Sequence, residues 1–154
     1  MNLKRMVSTA VLSLAALAVA FAADPNVGTW KLNEAKSKIA PGAVKNLTVV
    51  YTVVGDNFKC VVDGLDGAGK PSHNEWTGKF DGKDYPVVGD PTADTRSLKL
   101  VKPGHYELTN KKAGVTNVTG TVAFSADSKA RTLTTNMTDA AGKKVTSIAI
   151  YDRQ

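Results

Sequence analysis

The chain has 154 residues, a formal charge of +6, two histidines and a single cysteine. One cysteine excludes an internal disulfide, so the core must hold the fold, and a chain this long can bury roughly two thirds of its unfolded surface as one domain. The basic excess is mild and forms no stripe interleaved with aromatics, which excludes the usual nucleic-acid footprint.

Lys4 and Arg5 precede an uncharged run from Val7 to Ala22 that ends in the small-residue pattern Ala20-Phe21-Ala22. This is the layout of a secretory signal peptide, predicted over 1–22 with cleavage after Ala22. The run is shorter than the roughly 20 residues of a spanning helix, so no stable membrane anchor is expected. The junction carries no lipid-accepting cysteine and no twin arginine, which points to Sec-type export into the periplasm or the medium. Loss of Lys4 and Arg5 would leave 18 basic against 14 acidic side chains in the mature domain, 23–154.

Beyond the leader the chain reads as ten short runs with period-two alternation: 27–32, 45–54, 57–63, 72–80, 85–88, 96–102, 105–110, 115–125, 131–138 and 144–152. Gly55-Asp56, Asp81-Gly82 and Pro103-Gly104 supply the backbone geometry of tight hairpins, so consecutive strands should pair antiparallel. Asn33 is placed to cap a short helical turn through Glu34-Ala35-Lys36, and the loop 89–94 is expected to form a mobile rim. A meander of this many hairpins avoids exposed edges most simply by closing into a barrel. The predicted fold is therefore all-β, a single antiparallel up-and-down barrel.

Alternation also assigns faces. The inward set is Leu47, Val49, Tyr51 and Val53; Phe58, Cys60 and Val62; Trp76 and Phe80; Leu98 and Leu100; Leu133 and Met137. Cys60 falls between Phe58 and Val62 on that face, which favours a buried thiol over a catalytic one. Residue size suggests interior room: Gly78 lies between Trp76 and Phe80, Gly120 between Val118 and Val122, and Ala149 two residues before Tyr151.

Other motifs carry less. Residues 64–70 nearly spell a phosphate-binding loop, but Pro71 offers no hydroxyl and no helix follows, so a hairpin loop is expected. His73 and His105 lack partners at ligand spacing and read as surface residues. Asp81, Asp84, Asp90 and Asp94 read as turn formers rather than a calcium site. The sequons at Asn46, Asn117 and Asn136 fall within predicted strands of a Thr-rich chain and are assigned to chance. No cofactor and no metal site are expected.

Gly28-Thr29-Trp30 on the first strand and Tyr151-Asp152-Arg153 at the end of the last resemble the calycins, and more closely the short exported bacterial lipocalin-like proteins. The resemblance implies a barrel closed at one end by Trp30, with Arg153 lying across its indole as a structural latch. Fatty-acid-binding calycins use an Arg and a Tyr two residues apart on the last strand to hold a carboxylate. Arg153 thus has two candidate jobs, latch and counter-ion for an acidic ligand.

The function expected from this reading is binding of a small, mainly hydrophobic molecule inside the barrel, without catalysis, by a monomer. Ligand-contacting candidates are Tyr51, Phe58, Cys60, Trp76, Phe80, Leu98, Leu100, Leu133, Met137 and Tyr151. The alternative is a rigid interaction or inhibitor module acting on another envelope protein through its loops, carried by 89–94 and by the lysine-bearing turns at Lys111-Lys112 and Lys143-Lys144.

Overall fold

A computed structural model describes residues 24–154; the predicted signal peptide lies outside the described residues. The ten strands are β1 Gly28–Leu32, β2 Lys45–Val54, β3 Asn57–Leu65, β4 Pro71–Gly78, β5 Tyr85–Val88, β6 Thr95–Lys102, β7 His105–Lys112, β8 Val115–Phe124, β9 Ala130–Thr138 and β10 Lys144–Arg153. Each pairs antiparallel with its sequence neighbours, and β1 pairs with both β2 and β10, so the sheet is a closed up-and-down barrel. Closure leaves no free sheet edge.

Local chemistry accounts for the turns. Asp66, Asp81, Asp90, Asp127 and Asp139 each accept a backbone N–H two residues on, the Asx geometry that reverses the chain. Residues 64–70 are the β3–β4 connection, in which Asp66 also accepts from the Lys70 amide. Asn33 caps a single turn of 3-10 helix, Glu34–Lys36, through its side-chain oxygen.

The antiparallel meander places the start of β1, the end of β10 and the hairpin tips near 55, 103 and 127 at one end. The connections 33–44, 66–70, 89–94, 113–114 and 139–143 lie at the other. The first end is filled by aromatic rings. Phe80 stacks on Phe58 with centroids 4.2 Å apart, meets Tyr106 edge-on at 5.1 Å, and lies parallel to Trp76 at 6.2 Å. Phe124 joins Trp30 to Tyr106 at 5.3 and 6.0 Å. Polar atoms inside this plug are satisfied: Trp76 Nε1 donates to the Arg96 carbonyl, Trp30 Nε1 to the Asn26 carbonyl and Tyr106 Oη to Asp24.

Trp30 is completely buried, and the Arg153 guanidinium lies over its ring with 4.3 Å from carbon to centroid. Nε, Nη1 and Nη2 of Arg153 donate to the carbonyls of Ser128, Val27 and Pro25. This corner also requires glycine at Gly28, whose φ is +132° and where a Cβ would stand 2.6 Å from Arg153 Nη1. Gly28-x-Trp30 and Arg153 are thus one packed unit, with Trp30 and Arg153 in direct register across β1 and β10.

Two inward assignments fail. Val53 is 60 % exposed because β1 stops pairing with β2 at Tyr51, so the β2–β3 hairpin overhangs the barrel. Leu100 is 47 % exposed: it keeps the parity of Leu98, but is the last regularly paired residue before a bulge and the Pro103-Gly104 turn, and its side chain emerges at the rim. The glycine argument for interior room is also corrected. A Cβ at Gly78 would stand 2.6 Å from the rings of Trp76 and Tyr85, and one at Gly120 would stand 2.5 Å from the Thr134 carbonyl oxygen. These glycines sit where neighbours press close, not beside a void.

Candidate functional site: a half-filled barrel with two buried arginines

Opposite the aromatic plug the barrel is hollow. A cavity of about 520 Å³ reaches from Tyr51, Tyr151 and Arg131 at its floor towards the connections 39–44, 66–68 and 89–92. That volume lies within the roughly 300–1,000 Å³ range of small-molecule sites. Apolar wall is supplied by Val49, Val62, Leu108, Val118, Leu133 and Met137, and Ala149 leaves the floor wide.

The ten ligand-contact candidates divide between the two halves. Tyr51, Cys60, Leu133, Met137 and Tyr151 line the cavity. Phe58, Trp76, Phe80 and Leu98 point inward but belong to the packed core and its rim and do not line the cavity, and Leu100 is outside altogether. Cys60 is buried against Tyr51, and desolvation pushes its thiol pKa up, so it stays protonated at neutral pH and is a poor nucleophile. Burial likewise raises the Tyr51 hydroxyl, and it pushes Tyr151 up to about 12 with Arg131 opposing it.

Sequence reasoning missed the polar half of the site. Arg96, Asn74, Asn110, Arg131 and Ser147 are all buried and all line the cavity. Arg96 on β6 is held from three sides: its Nε donates to Asn110 Oδ1 at 3.0 Å, Nη1 to Asn74 Oδ1 at 3.4 Å and Nη2 to Asp90 at 3.4 Å. The last contact ties the 89–94 loop to the barrel, and Ala93 in the same loop is buried, so this rim is anchored rather than free.

Arg131 on β9 is different. It is 4 % exposed and directly opposite Tyr151 in the strand register. Its guanidinium carbon lies 5.2 Å from the Tyr151 ring centroid, 5.6 Å from Tyr51 and 5.8 Å from Trp30. Nε and Nη1 are buried with no hydrogen-bond partner. Three aromatic faces attract the charge, but a π-face over the plane leaves the in-plane N–H donors unmet.

The remaining titratable groups work elsewhere. Asp94 holds the Lys112 ammonium and the Ala113 amide, and Lys111 pairs with Asp84. His73 lies on the outer wall, 2.6 Å from Asp63 and 3.6 Å from Glu75, and its pKa is raised chiefly by the hydrogen bond to Asp63. Among the described residues no three His, Cys, Asp or Glu side chains gather into a metal-binding group.

No family model matches the chain, and no curated protein does. Among solved structures it is similar to lobster apocrustacyanin A1, with a TM-score of 0.43 and 14 % sequence identity. The match covers 86 % of this chain and 63 % of that one, so the chain spans less than two thirds of that protein's length. The closed ten-strand up-and-down architecture rests on the protein's own strand order and register.

Proposed function

We propose that this protein is an exported, monomeric lipocalin-like binder that holds one small, mainly apolar molecule inside the barrel and performs no catalysis on it. The supporting observation is the asymmetry of the interior: one end is packed with aromatic rings, while the other keeps a cavity of about 520 Å³ with a largely apolar wall. A barrel of purely structural value would gain stability by filling that space. The basic, apolar and small-residue order of residues 1–22 supports export.

The interaction-module alternative draws less support. Asp90 and Asp94 of the 89–94 loop are engaged within the molecule, by Arg96 and by Lys112 with the Ala113 amide. Those acids are therefore committed to holding the barrel mouth together.

A native mass spectrum of protein purified from its own source, before and after solvent extraction, tests the binding role. The expected result is an adduct of defined mass that extraction removes. A bare mass that stays bare after incubation with a mixture of lipids and small apolar metabolites would contradict it.

A further inference from the structure

Given that binding role, on which this inference rests, the buried polar atoms narrow the class of ligand. Arg153 and Arg131 both approach Trp30, at 4.3 and 5.8 Å from the ring centroid. Arg153 gives its donors to three backbone carbonyls, and Arg96 to two amide oxygens and a carboxylate. Arg131 alone has buried guanidinium nitrogens without acceptors, and it takes part in none of the salt bridges among the described residues.

A guanidinium cannot relieve this by losing its proton, which it keeps in a folded protein. Each unmet buried donor destabilises the fold, and desolvating the charge adds to that cost. The contacts to Tyr51, Tyr151 and Trp30 offset part of that. They supply no acceptor in the guanidinium plane. The floor of the cavity thus carries a guanidinium with no anion paired to it among the described residues, in a chamber whose wall is otherwise mainly apolar.

We propose that the ligand is an amphiphilic acid: an apolar body with one anionic group, the anion seated on Arg131 at the cavity floor and the apolar part running along Val49, Val62, Leu133 and Met137 towards the mouth. Arg96, already neutralised by Asp90 at 3.4 Å, needs no second anion, which leaves Arg131 as the seat. The carboxylate would supply the in-plane acceptors that Arg131 lacks, by charge-assisted hydrogen bonds.

Dodecanoate and 1-dodecanol share a tail and differ in head-group charge, so titrating the mature protein with each at neutral pH by calorimetry separates charge from apolar burial. Dodecanoate should bind at least about tenfold more tightly, the effect of roughly one charge-assisted hydrogen bond. Arg131→Met should erase that preference, while Arg131→Lys should keep part of it. Equal affinities in the native protein would overturn the inference and leave the binding role intact. An unchanged preference in a folded Arg131→Met variant would overturn it too, and if that variant does not fold, the native comparison and Arg131→Lys decide. Binding of neither probe would count against the apolar site and the anion seat together.

Discussion

Trp30→Ala is expected to lower the free energy of unfolding by about 3–5 kcal/mol, the usual loss when a large buried aromatic is truncated. The residue is completely buried, its Nε1 holds the Asn26 carbonyl at 2.8 Å, and its ring is the surface on which both Phe124 and Arg153 pack. Arg153→Ala should cost about 2–3 kcal/mol, because three backbone carbonyls near the barrel end lose a charged donor along with the stacked plane. The two losses should not add. Once the indole is gone the guanidinium has nothing to lie on, so the double variant should fall short of the sum by about 1 kcal/mol or more. Thermal or urea unfolding of the two single variants and the double variant measures this coupling. Losses additive to within roughly 0.5 kcal/mol would show that Trp30 and Arg153 stabilise the end of the barrel independently.

The second large effect is expected at Gly78. Gly78→Val should destabilise by about 2–3 kcal/mol, at the upper end of ordinary overpacking, because even the first added carbon would stand 2.6 Å from two rigid rings, Trp76 and Tyr85. Both rings are tethered: Trp76 donates to the Arg96 carbonyl and the Tyr85 hydroxyl to Asp81 at 2.9 Å. A melting temperature that held or rose would mean that the space beside Gly78 is open and that the ligand chamber extends into this half of the barrel.

Much of the fold was legible because strands announce themselves by period and turns by residue type. All ten strands lie within two residues of their predicted limits, since Gly, Asp and Pro mark nearly every reversal. The latch was legible for another reason: Gly28, Trp30 and Arg153 belong to the first and last strands, and closure of the sheet brings those strands together. Val53 and Leu100 were misplaced because alternation gives a side chain's face but not how far a strand outruns its neighbours.

The site was half legible. Alternation already placed Leu133 and Met137 inward, and Arg131 is two residues before Leu133; Arg96 stands in the same relation to Leu98, and Asn74 to Trp76. Their parity was therefore readable, but the inward set was drawn from apolar residues alone, since buried charge is rare without a partner. That Arg96 finds partners in Asn74, Asn110 and Asp90 depends on strand registers that one sequence does not reveal. The cavity depended on them as well. It exists because the large aromatics gather at one end, whereas the glycines that suggested space are places of close approach.

The most direct test of a ligand chamber is to fill it. Titration of the mature protein with an environment-sensitive apolar dye should raise the dye's emission, and the paired substitution Val118→Trp with Leu133→Trp, both on the cavity wall, should abolish the rise while circular dichroism shows the barrel still folded. An unchanged emission with the native protein, or an equal rise with the filled variant, would show that the interior is not where small molecules bind.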